Sequence, residues 1–197
     1  SLVIRPPLAS EEWNSQLSLM TGMAAATIML DGGTGLLRTM PAPGAEVLDG
    51  FRTLAGRLGV PWPEDRSYGD FVAGLDAAVP AQLALLHAAG GLFRGAGYTP
   101  VTGPGTAGES DGTHAAVAAP YAHVTAPLRR LVDRFGLVSS YHLHRGEPVP
   151  GWVTEALDSL PERMRDSDQL ASELERGCHD AVEAAVLDGR VGDTFDA

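Results

Sequence analysis

"YAHVTAPLRRLVDR", residues 121–134, gathers three arginines against one acidic residue. The chain around it is acidic, with 197 residues, a formal net charge of −11 and no lysine. Positive charge collected at one place in such a chain calls for a local cause. The order of residues offers one. Thr125 has the chemistry of a helix cap, Pro127 suits a first turn, and Arg129 and Arg130 then fall just inside the helix. A helix N-terminus presents free N–H groups and the positive end of a dipole, so added guanidinium groups make a site for phosphate. The alternative is an ion pair. Arginine near a helix N-terminus opposes the dipole, and Asp133 lies four residues after Arg129, where it can neutralise the charge.

The length suits one domain, or one domain plus a fragment of another, and 44% hydrophobic residues suffice for a core. No apolar run approaches the ~18 residues of a membrane span. "SLVIRPPLAS" lacks the layout of a secretory signal, and one cysteine, Cys178, cannot form an internal disulfide, so a cytoplasmic setting is expected. The acidic balance excludes nucleic-acid binding over the whole surface but not in a narrow arginine-lined cleft. From Gly151 onward twelve acidic residues face four arginines, which reads as the solvated face of C-terminal helices.

Elsewhere the pattern is mostly helical. "SLVIRPP" reads as a short strand. Ser10 then caps a long helix with Glu11 and Glu12 in its first turn, and Trp13, Leu17, Met20, Ala24 and Ile28 mark a buried stripe. "LLRTMPAP" is extended, and a second helix carries Val47, Phe51, Leu54 and Leu58 as its stripe, with Gly59 as its stop. Ser67 caps a short helix and Pro80 opens another. "GYTPVTGPGTAGESDGT" reads as a connector, and "HAAVAAPYAHVT" as a strand. The fold class is α+β, dominated by helices.

Other constellations carry less. "LDGGTG" lacks the Lys-Ser/Thr ending of a phosphate loop and follows a helix instead of preceding one. His142 and His144 are badly spaced for a metal on one helix face, even with His123 upstream, and Cys178 and His179 are helical neighbours that do not face each other. No metal ligands are assigned.

Several blocks along the chain together resemble the catalytic domain of the ribonuclease II and ribonuclease R family of exoribonucleases. "YAHVTAPLRRLVD" is similar to that family's Y-A-x-x-T-S-P-I-R-R-Y-x-D signature. "EEWNSQLSLMTGMAA" lies where the family has a glutamate pair opening a long helix, and "GLLRTMPAP" resembles its L-x-R-x-x-x-x-P segment. "SDQLASELERGCHDAVEA" and "VGDTFDA" resemble its last helices and the start of an OB-type RNA-binding barrel. The resemblance implies the C-terminal half of an RNB-type catalytic domain over residues 1–190, with a truncated OB-type barrel beginning at 191–197. It implies a 3′-to-5′ exoribonuclease that hydrolyses single-stranded RNA processively to nucleoside 5′-monophosphates. By match, Arg129 reaches the scissile phosphate, and Arg130 contacts the RNA backbone or supports Arg129. Glu12 and Glu11 touch terminal nucleotides, Thr125 and Tyr121 belong to the substrate signature, and Glu175 lies near the 3′ end.

The chain departs from the pattern at Ala126, Leu131, Gln169 and Leu170. The larger departure is at the front. The family's magnesium is held by clustered aspartates, whereas Asp31, Asp65 and Asp111 are scattered. The expected partners are therefore single-stranded RNA and the N-terminal half of the same domain, which would bind the magnesium. The alternative is a non-catalytic RNA-binding or protein-assembly relative.

Overall fold

The structure is a computed structural model and describes residues 8–107, 112–190 and 192–194. The strand expected at residues 1–7, Asp111, and most of the barrel start expected at 191–197 lie outside the described residues. The elements run α1 (Ala9–Gly32), β1 (Gly35–Thr39), α2 (Ala45–Arg57), α3 (Tyr68–Ala73), α4 (Pro80–Gly90), β2 (Gly97–Val101), β3 (Thr113–His114), β4 (Ala119–Pro120), α5 (Leu131–His144), α6 (Gly151–Thr154) and α7 (Leu160–Leu187). This is a helix-dominated α+β fold. Among the described residues no helix is long and apolar enough to cross a membrane.

β1 is the centre. Side chains alternate across a strand, and here both faces are covered. Leu37 enters a core with Ala25, Ala26 and Met29 of α1 and Val124, while Leu36 enters another with Val132 of α5, Val153 of α6, and Leu160 and Met164 of α7. β1 pairs antiparallel with β2, from Gly35 opposite Val101 to Thr39 opposite Gly97. On its other side it meets the β3–β4 hairpin, through a bridge from Met40 to His114 and a bond from Arg38 N to Tyr121 O of 2.8 Å.

β2 corrects the expected connector. Its Gly, Thr and Pro content reads as loop, but Tyr98, Thr99 and Val101 suit a strand, and pairing with β1 decides the matter. Pro100 is tolerated at a sheet edge, where the missing N–H is not needed. The strand expected over "HAAVAAPYAHVT" is instead a short hairpin, turning at residues 115–118.

Between Thr39 and Gly97 the chain builds a helical module. Phe51 and Ala55 of α2, Trp62, Phe71 of α3, and Leu85 and Ala89 of α4 form its own core. Trp62 stacks on Phe71 with ring centroids 5.4 Å apart, and Phe51 meets both rings edge-on. Ser67 caps α3 as expected, accepting from Asp70 N at 3.1 Å, Pro80 opens α4, and Gly59 takes positive φ just past α2. Val47 is exposed, so the stripe of α2 begins one turn later.

The face assigned to α1 is wrong. Trp13, Leu17, Met20 and Ala24 are exposed, and Gly22, Ala25, Ala26 and Met29 are buried. Ser10 lies inside the helix. Leu8 is the cap residue, and its N–H donates to Glu11 Oε2 at 2.9 Å. Small residues go inward because the backbone of α1 comes very close to the chain before α5. Ala122 N donates to Gly22 O at 3.1 Å, and a β-carbon at Gly22 would sit 2.6 Å from Ala122 O, against the ring of Tyr121 as well.

Gly22→Ala should therefore destabilise by about 1–3 kcal/mol through overpacking, although alanine is the better helix former. Gly50→Ala in α2, where a β-carbon meets nothing within 4 Å, should instead gain up to ~1 kcal/mol. Paired denaturant melts test the contrast, and equal signs for the two would refute the close approach at Gly22.

Candidate functional site

Residues 121–134 fold differently from a capped helix start. α5 begins at Leu131, Arg130 is its cap residue, and residues 127–129 form a turn ahead of it. Thr125 is exposed and caps nothing. Arg129 and Arg130 thus precede the helix instead of lying inside it. The cause is Asp133, whose side chain is 0% exposed. Its Oδ2 accepts from Ala126 N at 2.6 Å and from Arg130 Nη2 at 2.9 Å, and its Oδ1 accepts from Arg130 Nε at 2.8 Å. One carboxylate from the first turn of the helix holds both ends of the turn. Arg134 adds a bond from Nε to Pro127 O at 2.8 Å.

The two arginines therefore differ in kind. Arg130 is 18% exposed and committed to Asp133. The ion pair considered for Arg129 is made by Arg130 instead. Arg129 is exposed, and among the described residues its guanidinium has no hydrogen bond or ion pair. Beside it Leu128 is 92% exposed. Among the described residues, the braced turn presents the Arg129 guanidinium to solvent without a partner.

Behind the turn runs a chain of rings. His114 meets Tyr121, Tyr121 meets His123, and His123 meets Tyr98, with centroids 5.6, 5.6 and 5.7 Å apart. Tyr98 Oη and His123 Nδ1 share a hydrogen bond of 2.8 Å. The guanidinium carbon of Arg38 lies 4.7 Å from the Tyr98 ring centroid. Burial, helped by the charges of Arg130 and Arg38, holds the His123 imidazole down at about 4, so it is neutral near pH 7. Burial likewise raises the Tyr121 phenol and lowers His114.

Of the residues expected at a site, Tyr121, Thr125, Arg129 and Arg130 fall in one segment, and Tyr121 feels the charges of Arg130 and Asp133. Glu11 and Glu12 stand in the exposed first turn of α1. Glu175 lies on the stretch of α7 beyond Met164, which is exposed throughout its length to Leu187. Among the described residues the side chains of Glu12 and Glu175 bond to none of the others. Arg38 and Tyr98 carry no signal in the sequence that assigns them to a site, and the spacing of Asp133 points to Arg129 rather than to Arg130. No set of three or more His, Cys, Asp or Glu side chains converges among the described residues in a way that could hold a metal ion.

Two measurements check this geometry. Asp133→Ala strands Arg130 and the N–H of Ala126, and should cost about 3–5 kcal/mol in denaturant melts. A loss below ~1 kcal/mol would refute the brace. His123 is held below the ~6.5 of a free imidazole, so the unfolded chain binds a proton that the folded chain refuses. Its contribution to stability is complete above pH ~6.5 and is lost as pH falls toward 4. His123→Gln should flatten the fall in stability between about pH 7 and 5, and an unchanged slope would show that His123 titrates normally.

No family model and no curated protein sequence matches the chain. Solved structures do. The apo form of Mycoplasma genitalium RNase R superposes on 97% of this chain with a TM-score of 0.76 at 15% identity, and the same enzyme in complex with ribose-methylated single-stranded RNA gives 0.75 at 15%. Yeast Ssd1, a pseudonuclease, covers 77% of the chain with a TM-score of 0.64 at 20% identity. The chain spans about 30% of the length of the RNase R structures and 19% of Ssd1. At these identities the likeness is one of structure, and what it establishes is an RNB-type ribonuclease fold.

Proposed function

We propose that this chain supplies the phosphate-contacting part of a 3′-to-5′ exoribonuclease that hydrolyses single-stranded RNA to nucleoside 5′-monophosphates. The observation that carries the reading is the braced turn. In a fold shared with RNase R, Asp133 fixes the turn through Arg130 and leaves Arg129 exposed and, among the described residues, unpaired. A free arginine on a rigid mount is suited to a phosphate, since its planar fork can donate to two oxygens at once. Charge develops on the scissile phosphate as the bond breaks, and donors fixed beforehand stabilise it without reorganising. Arg129 is then the catalytic residue of the segment, and Arg130 and Asp133 are positioning residues.

The described residues do not fit a magnesium site. In this reading the ion's carboxylates lie outside them, on an N-terminal half of the same catalytic domain, and the chemistry of water activation belongs there. The second reading is a non-catalytic relative that keeps the fold. The pseudonuclease Ssd1, which shares it, favours keeping that reading in view.

In the full-length protein, Arg129→Ala should lower single-turnover cleavage of labelled single-stranded RNA by about 10²–10³, equivalent to ~2.7–4 kcal/mol, with a smaller loss of affinity. Arg129→Lys should recover part of the rate, because a point charge replaces the fork incompletely. A folded Arg129→Ala protein that cleaves within about threefold of the parent would sink the assignment, and a parent that binds RNA without cleaving it would favour the non-catalytic reading. The 197-residue chain by itself should release no mononucleotides from RNA with magnesium present.

A further inference from the structure

A second feature lies where β1 and β2 meet α7. A cleft of about 380 Å³ is lined by Arg38 of β1, the Gly95–Tyr98 run entering β2, and Pro161, Arg165 and Asp168 of α7. The size suits one nucleotide unit, since small-ligand pockets begin near ~300 Å³. Its charges are unusual for their lack of mutual satisfaction. Two guanidiniums and one carboxylate border the same space, yet among the described residues none of the three has a side-chain hydrogen bond or ion pair. Arg38 is restrained by lying over Tyr98, whose phenol is tied to His123. Gly95, Ala96 and Gly97 make a wall with almost no side chain, which leaves room for a flat ring.

The balance of charge narrows the ligand. Two cations against one anion favour an anionic guest, in a chain whose net charge is −11. The single carboxylate repels a bare phosphate but accepts a hydrogen bond from a hydroxyl beside it. A ribonucleotide in a phosphodiester chain has both features, a singly charged phosphate and a ribose 2′-hydroxyl. A deoxyribonucleotide lacks the hydroxyl and would leave the carboxylate facing the sugar unpaired.

We infer that this cleft binds one nucleotide of single-stranded RNA, with Arg38 and Arg165 on the phosphate and Asp168 accepting from the ribose 2′-hydroxyl, so that Asp168 sets a preference for RNA over DNA. This rests on the reading of single-stranded RNA as the substrate. The cleft is built from β1, β2 and α7, whereas Arg129 stands on the turn before α5, so the two can be tested apart.

The test uses the full-length protein in EDTA, with fluorescein-labelled oligouridylate and oligodeoxyuridylate of equal length as probes in fluorescence anisotropy. Asp168 and Arg165 are both exposed, so alanine at either should leave the fold intact. Asp168→Ala should weaken RNA binding about fivefold or more while DNA binding stays the same or improves. Arg165→Ala should weaken both, and should lower the slope of log affinity against log salt by about 0.7. A merely structural role for Asp168 would not separate RNA from DNA, so equal losses for the two probes would overturn the proposal. Binding within twofold of the parent for both variants, in a protein that does bind RNA, would overturn the cleft and leave the Arg129 reading standing. A parent protein that binds no RNA would remove both.

Discussion

A strand that is buried on both faces cannot slide, turn over or move out by one residue, and β1 is such a strand. Leu36 and Leu37 point into different cores, so a shift of one position would exchange their environments and break both packings at once. α1, α5, α6 and α7 each contribute to a core that contains one of these two leucines. The next residue, Arg38, inherits its place from them. Its N–H anchors Tyr121 and its side chain lies over Tyr98, so the ring chain and the cleft are extensions of the same strand.

Asp133 does for the turn what β1 does for the sheet. A fully buried carboxylate is costly to desolvate, and it persists only where its oxygens are taken up by donors. Here three donors come from one short segment, and all of them lie before the helix that carries the acid. The interaction adds little to net stability compared with an apolar residue of the same shape, but it allows only one geometry for the turn. A fixed turn is what the proposed phosphate contact of Arg129 calls for, and the acid is buried with Arg130 while Arg129 beside it stays exposed.

Much of this was legible in the residues. The pair Leu36–Leu37 ahead of prolines reads as extended, and positions such as Ser67, Gly59 and Pro80 announce helix ends by chemistry that needs no tertiary context. The inward face of α1 was not legible, because bulk and burial part company there. Trp13, Leu17 and Met20 outrank Gly22, Ala25 and Ala26 on any hydrophobic scale, yet only small residues allow the backbone to approach Tyr121 and Ala122. β2 was missed because its glycine and proline content describes its neighbours' turns as well as its own edge position. Arg129 was singled out by a linear signature. Arg38, Tyr98, His123 and Asp168 come from four separate places in the chain and share no motif, so only folding brings them into one neighbourhood. The role of Asp133 was misjudged for a simpler reason: spacing of four on a helix pointed to Arg129, but the helix starts only at Leu131, two residues after Arg129.

The helical module of α2, α3 and α4 has a consequence of a different kind. The chain leaves the sheet after Thr39 and returns at Gly97, and those two residues are paired across the strands. Topologically the module is therefore an insertion at the tip of a β-hairpin, with its aromatic core enclosed within itself. Its length can drift, and its sequence can be exchanged, without altering the register of Leu36 and Leu37. A change of length inside that lobe need not disturb the pairing of Thr39 with Gly97, whereas a change of one residue within β1 would move Arg38 to the opposite face.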